Sequence, residues 1–520
     1  MIVLGFHGGT RLNQHEPSAC LMVDGRIVAL CEEERYNRQK GSYGLLPEKS
    51  IRACLKIGKI SWGDIDLVVS PGITYGLERA ARMAAWMEHS FGTVKRYERV
   101  HHHDAHCAAA LYGSGFDPRN TRAVSLDSSG DGISGRVWGV EDIPKENSIG
   151  AFYTAITHWL GFSDGDEYKV MGLAAFGNPV VDLSAVLRVY GGGWELAPGY
   201  IRTDTESPFE PCYTQKLVDL LGPPRRGVVT QHHMDVANSA QAALETALMR
   251  LFSGVPFGYG LALAGGVALN CAANGKLFQY GAAERIYVSP VASDRGLSLG
   301  CAYLGTVVMG GKPDYLKLPY LGQEYTQDEI RRELDANGCK YDAIKNPPAA
   351  AANYIKQGKI IGWFQGRSEA GARALGNRSI LASCQQAGMK DRVNATIKYR
   401  DKFRPFAPAI LAEEAENYFH TVGREFPTMS FALKNAKPGT LAETTHVDGT
   451  CRVQTVRHID NPLFYDLILE CAARGEPPAV LNTSFNLNGQ PIVESPRDAL
   501  MTFYGSGMDA LFIGDFLVKK

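Results

Sequence analysis

Net charge is almost absent from this 520-residue chain, in which 54 lysines and arginines face 55 aspartates and glutamates for a formal net charge of -1. The balance removes the bulk pull that nucleic acid or anionic lipid exerts on a basic protein, so no nucleic-acid partner is expected. Long apolar runs are missing too. The most apolar stretch, PFGYGLALAGGVALN, is broken by glycine and falls short of the roughly 18 residues needed to cross a bilayer, so no membrane span is expected. The opening MIVLGFHGGT has no basic leader before its short apolar run and reads as a first strand, so no signal peptide is expected. Eleven cysteines form an odd, scattered set with no CxxC pair, which fits reduced thiols in a cytoplasm better than a disulfide framework or a structural zinc site. A Walker A loop is also lacking, because Gly275-Lys276 is followed by Leu277 where Ser or Thr belongs.

What is present points to a large α/β enzyme. A chain of this length exceeds one ordinary core and divides into two or three domains. In the run HHHDAH, His102 and His106 are four residues apart, so on one helical turn their imidazoles point the same way and can share a metal. Two turns, LDSSGDG at Asp127 and SDRG at Asp294, each end an apolar strand-like run where a carboxylate could meet the same ion. Cys107, beside His106, reads as a small packed residue rather than a ligand.

The opening is a hairpin unit: IVLGF, a glycine-rich turn, then SACLMV and RIVALCEE joined by Asp24-Gly25. AVSLD, a turn from Ser128 to Gly132, and ISGRVWGVE repeat the pattern, which suggests a duplicated domain with loops facing across a cleft. DVANSAQAALETALMRLF is helical and precedes LALAGGVALNCAANGKL, a buried strand running into a glycine turn. The glycine- and proline-rich MGGKPDYLKLPYLG marks a linker. Beyond it, Arg367, Arg373, Arg378, Arg392, Lys398, Arg400, Lys402 and Arg404 crowd into one short segment. Such density suits a polyanionic small molecule, because guanidinium forks pair with phosphate oxygens; a solvated basic face is the plainer alternative.

In order, HEPSACLMVDGRIVALCEEERYNRQK, HHDAH, LDSSGDG, DEYKVMGLAAFG, GGVALNCAANGKL, SDRGLSLGCA, GRSEAGARALGNRSILA, KYRDKFRPFAP, HVDGTCRVQTV and LNTSFNLNGQPIVESPRDAL span nearly the whole chain. This series resembles the O-carbamoyltransferase family of antibiotic and nodulation-factor biosynthesis. The resemblance implies an α/β chain of two domains. Residues 1–318 would form a duplicated actin-like, sugar-kinase-like (ASKHA) domain of the threonylcarbamoyl-transferase type, and residues 319–520 a YrdC-like domain. The second would make carbamoyl adenylate from carbamoyl phosphate and ATP, and the first would pass the carbamoyl group to a hydroxyl of a small-molecule acceptor.

The same resemblance assigns residues. His102, His106, Asp127 and Asp294 become the metal set, with Fe(II) usual for the family and Zn(II) or Mn(II) chemically compatible. His15 and Lys40 fall near the transfer site, His15 as the group that takes the acceptor's proton. Gly265, Gly266 and Asn270 would lie against the nucleotide, with Glu167 and Lys169 on its ribose or phosphate. Arg373, Lys398 and Arg404 match the carbamoyl-phosphate and ATP phosphate-binding motif, Arg378 and Arg452 are its neighbours, and Asn482 and Ser484 would hold the nucleotide. Mg²⁺ is expected with ATP through the substrate phosphates.

Two departures stand out. Glu16 and Pro17 replace the usual short acid and alanine of the first loop, and Ala372 stands where proline usually precedes the arginine. Three other readings compete: a sugar or metabolite kinase of the actin-like superfamily, a tRNA threonylcarbamoylation or hydrogenase-maturation enzyme, and a non-enzymatic nucleotide sensor. The acceptor's identity is open, and a homodimer is only the base-rate expectation.

Overall fold

The computed structural model describes residues 1–11, 14–203 and 210–520. It divides into two compact units, one of Met1–Glu33 with Gly41–Lys317, the other of Glu34–Lys40 with Leu318–Lys520. The short segment at 34–40 is the departure from a simple division near residue 318: the chain leaves the first unit after Glu33, joins the second for seven residues, and returns. Lys40, read from sequence beside the transfer site, therefore belongs to the second unit.

The first unit contains one architecture twice. β1 (Ile2–His7), β2 (Ser18–Val23), β3 (Arg26–Glu32), β4 (Leu67–Pro71) and β5 (Tyr97–Val100) form a sheet of order β3-β2-β1-β4-β5. β1, β2 and β3 are antiparallel, whereas β4 and β5 run parallel to β1. Asp24 and Gly25, both at positive φ, make the tight β2–β3 turn that the dipeptide foretells. β6 (Thr121–Gly130), β7 (Ile133–Val137) and β8 (Glu141–Pro144) repeat the meander. After the small hairpin of β9 (Leu187–Tyr190) and β10 (Gly193–Leu196), β11 (Gly260–Ala264) and β12 (Arg285–Val288) complete the second sheet. Its order, β12-β11-β6-β7-β8, is the first sheet's order read from the other edge. This is the doubled actin-like, sugar-kinase-like topology.

Helices His102–Ser114 and Leu297–Val308 pack on these sheets. Their contact is close because Gly300 has no side chain: a Cβ there would lie 1.7 Å from the Ala105 carbonyl oxygen. Ala105 of the first helix and the fully buried Leu297 and Cys301 of the second close against Val3, Leu67 and Val69. Each large aliphatic side chain so buried contributes about 1.5–3 kcal/mol. The consequence is positional. His102 opens one helix and Asp294 sits just ahead of the other, so their close packing brings both to one place.

The second unit is built on an eight-stranded mixed sheet whose strands follow the order 341–343, 516–519, 510–513, 361–364, 378–382, 479–484, 407–411 and 454–456. Trp363, Phe464 and Phe512 anchor its core on one face. Among the described residues no helix is long and apolar enough to cross a membrane.

Candidate functional site

The parallel pairing of β6 with β11 sets Leu263 opposite Val124 and Ala264 opposite Ser125, so the residues just beyond this paired stretch emerge side by side. Those residues are Asp127 and the Gly265-Gly266 pair. Strand ends in open α/β sheets are where such folds bind ligands, since loops there diverge and leave backbone groups unpaired. Gly265 has φ +83, and a Cβ on it would lie 2.1 Å from the Leu126 carbonyl oxygen. Only glycine fits. The Gly266 N–H donates to Asp127 Oδ2 at 3.1 Å, joining the glycine loop to a candidate ligand.

His102, His106, Asp127 and Asp294 converge, each offering one donor atom, with all four atoms within 4.8 Å of one another. His106 Nε2 lies 3.3 Å from Asp127 Oδ2 and 3.4 Å from Asp294 Oδ1; His102 Nε2 lies 3.7 Å from the same Asp294 oxygen. Ligand atoms around one tetrahedral ion at bond lengths near 2.1 Å are separated by about 3.4 Å. Nε2 of both histidines is buried and makes no hydrogen bond. Unpartnered buried nitrogens are costly, and a shared cation would satisfy them with the two carboxylates. Burial pulls the His106 imidazole down, but Asp127 and Asp294 outweigh it and raise it to about 9. The negative charge that draws a proton there would draw a metal cation for the same reason. The donor set suits Fe(II), Zn(II) or Mn(II).

Residues not singled out from the sequence complete the setting. Asp131, the second aspartate of LDSSGDG, accepts the His102 backbone N–H at 2.7 Å and the Thr74 hydroxyl at 2.5 Å. His7 Nε2 lies 3.6 Å from Asp294 Oδ2 and 3.1 Å from the His15 carbonyl; burial lowers its pKa to about 4. Arg295 pairs with Glu16 and, at 3.2 Å, with Glu32, so the unusual Glu16 braces the residue next to Asp294. Cys107 is fully buried and directs its thiol toward the Arg136 carbonyl, apart from the cluster. His15 itself is half-buried, its ring tilted against Tyr43.

On the nucleotide side of the sequence reading, Asn270 is committed to its neighbours. It caps the helix Cys271–Gln279 and exchanges two hydrogen bonds with Gln241 at 2.9 and 3.0 Å. Gln241 also accepts from Tyr153 and donates to Glu245. Glu167 accepts from Thr154 at 2.9 Å, and burial raises its pKa. Lys169 pairs with Asp166 at 2.8 Å.

In the second unit the basic run separates into different jobs. Arg378 is fully buried over the Phe364 ring, and its guanidinium donates to the carbonyls of Gln323, Gln365, Gly366 and Asn377. It supports the loop from beneath. Arg367 holds the carbonyls of Leu321 and Gly322, Arg392 pairs with Asp509, and Arg400 bonds Asn394 and Pro405. Density along the chain thus overstated the cations available to a ligand, because several of these arginines are committed to carbonyls or a carboxylate of their own unit. Asn482 likewise donates inward, to the Ala374 carbonyl and Gln454.

Arg373, half-buried, rides on the loop from Gly371 to Asn377. Glu369, missed in the sequence although it lies in GRSEAGARALG, accepts from the backbone N–H groups of Leu375, Asn377 and Arg378 and so shapes that loop. Arg35, from the segment 34–40, donates to the Gly371 carbonyl at 2.9 Å. Lys398 is buried and donates to Ser484 and Asn486, including the Asn486 Oδ1 at 2.7 Å. Burial, then Arg400, Arg404 and Lys40, hold its pKa well below the usual lysine value. An arriving polyanion would relieve that repulsion. Arg404 and Arg452 are half-buried in the same unit.

Residues 80–303 match the family described as Carbamoyltransferase N-terminus, and residues 352–520 match Carbamoyltransferase C-terminus. The nodulation protein NolNO of Sinorhizobium fredii is 35% identical, with 100% of this chain and 83% of that protein covered. The nodulation protein NolO of Bradyrhizobium diazoefficiens is 38% identical over 81% of this chain and 79% of its own length. The 3'-hydroxymethylcephem-O-carbamoyltransferase of Streptomyces clavuligerus is 26% identical, with 100% and 99% covered. With both family halves matched in order and whole-length relatives of this identity, the chain belongs to the carbamoyltransferase family and is a transferase enzyme.

Proposed function

We propose that the chain is an ATP-dependent O-carbamoyltransferase working in two stages. The second unit joins the carbamoyl group of carbamoyl phosphate to AMP. A bond forms from a carbamate oxygen to the α-phosphorus of ATP and the α–β bond breaks, releasing pyrophosphate; atom balance consumes one water and frees one inorganic phosphate. Arg373, Lys398, Arg404 and Lys40 bind and orient the phosphates, with Mg²⁺ carried by the substrates.

In the first unit an acceptor hydroxyl attacks the carbamoyl carbon while the bond to AMP breaks. His102, His106, Asp127 and Asp294 would hold a divalent ion, which when bound supplies Lewis-acid polarisation of the carbamoyl carbonyl. His15 takes the proton of the attacking hydroxyl. Asp131 keeps the first turn of the His102 helix in place, and the Gly265-Gly266 backbone admits the nucleotide closely. The observation that carries this reading is the buried pair of unpartnered Nε2 atoms facing two carboxylates, an arrangement a kinase of this fold does not require.

Mixing the chain with carbamoyl phosphate and ATP is expected to release pyrophosphate and form carbamoyl adenylate, with AMP following once an acceptor hydroxyl is supplied, and without ADP. His106→Ala is expected to keep pyrophosphate release while losing transfer and divalent-ion binding. ADP as the nucleotide product, or no pyrophosphate from folded protein, sinks the proposal.

A further inference from the structure

Beside the His–Asp cluster lies a lip whose two cations, among the described residues, form no ion pair. After β4 the chain turns at Gly72 and passes through the single turn Ile73–Tyr75 into the helix Gly76–Phe91. One carboxylate fixes this lip to the cluster, because Asp131 accepts from Thr74 with one oxygen and from the His102 backbone with the other. Tyr75, next in the chain, is exposed, and the guanidinium carbons of Arg79 and Arg11 lie 4.1 and 5.9 Å from its ring centroid.

Arg79 also presses on the first loop, where a Cβ on Gly9 would come within 2.7 Å of its Nη2. That loop follows His7, which faces Asp294. The guanidinium pair therefore reaches the cluster from two directions, through Asp131 and through the first loop. Among the described residues neither Arg11 nor Arg79 takes part in an ion pair. The half-buried guanidinium of Arg79 loses hydration, and an anion in its fork restores the loss with charge-assisted hydrogen bonds. Stacking on Tyr75 fixes the planes that the fork presents. Exposed Ile73 and Leu77 flank the pair with apolar surface.

We propose that Arg79 and Arg11, ordered on Tyr75, form a subsite for an oxyanion of the acceptor, a carboxylate or phosphate carried beside the hydroxyl that is carbamoylated. The inference rests on the carbamoyl-transfer reading of the same cluster. The other oxyanion that comes to this centre is the phosphate of carbamoyl adenylate. That phosphate belongs with the Gly265-Gly266 loop, which meets the cluster at Asp127, whereas the arginines meet it over Asp131. The two anions thus approach over different carboxylates.

The test uses the full chain, with benzoate as the probe, benzamide as its neutral isostere, and AMP as the probe of the donor side, all titrated calorimetrically. The unaltered chain is expected to bind benzoate at least tenfold tighter than benzamide. Arg11→Gln with Arg79→Gln is expected to abolish that preference and to change the AMP dissociation constant less than twofold. Arg79→Lys, which keeps the charge and loses the fork, is expected to retain part of the preference, and Arg11→Gln alone, at an exposed position, guards against a folding artefact. Equal binding of benzoate and benzamide by the unaltered chain overturns the proposal, as does a preference that survives the double substitution. A parallel loss of AMP binding assigns the arginines to the donor phosphate and also overturns it. Pyrophosphate release by the unaltered chain is read alongside: its absence defeats the two-stage reading and leaves the benzoate result to stand separately.

Discussion

Replacing Glu369 by alanine removes one carboxylate oxygen that three backbone N–H groups share, at 2.6 Å from Leu375, 3.3 Å from Arg378 and 3.4 Å from Asn377. The side chain is 2% exposed, so water does not readily take its place. The short, charge-assisted bond is worth about 1.5–3 kcal/mol and each long one roughly 0.5 kcal/mol, so the loss comes to about 2.5–4 kcal/mol. For a unit of this size that corresponds to a fall of roughly 5–15 °C in its unfolding temperature. Because the loop carries Arg373, the KM for carbamoyl phosphate in pyrophosphate release is expected to rise at least about tenfold, the equivalent of ~1.4 kcal/mol of binding. Glu369→Gln keeps an oxygen acceptor of the same shape, and is expected to recover most of both effects. Calorimetric unfolding and the pyrophosphate assay read them independently. An alanine variant that unfolds at the unaltered temperature with an unaltered KM would falsify the view that this carboxylate organises the loop.

Three further outcomes are expected. Asp131→Asn puts an amide where three donors converge, so divalent-ion affinity, read by competition with a chelating dye, should fall roughly 10–100-fold while the fold persists. Gly265→Ala forces a Cβ against the Leu126 carbonyl at a positive φ, and should destabilise the chain by about 1–3 kcal/mol in denaturant titration. Lys40→Ala should raise the KM for carbamoyl phosphate roughly fivefold, the effect of about 1 kcal/mol from an exposed charge, and leave metal affinity unchanged, since Lys40 belongs to the second unit.

The convergence of the two histidines and two aspartates was legible because local geometry does most of the work. His102 and His106 share a helix face by spacing alone, and Asp127 and Asp294 each close a strand-like run, so four residues could be paired before any contact was known. The duplicated hairpins were legible for a similar reason, since Asp24-Gly25 and the LDSSGDG turn are local signals. The arginine segment was not. Arg373 and Arg378 are five apart in one motif, yet Arg378 is buried under four carbonyls while Arg373 is half-buried on the loop. Glu369 and Asp131 stand inside distinctive motifs, but a carboxylate that caps backbone N–H groups looks the same in sequence as one on the surface.

Short-range pattern therefore decided which elements form, where the chain divides near residue 318, and which histidines and aspartates could share an ion, because these follow from side-chain period and turn chemistry. Tertiary structure alone decided that residues 34–40 join the second unit, that Arg35 reaches Gly371 across 336 positions, and that Arg11 and Arg79 meet on Tyr75 beside Asp131. Such contacts depend on how distant strands and loops come to rest, and pairing over hundreds of residues leaves no periodic trace in the chain.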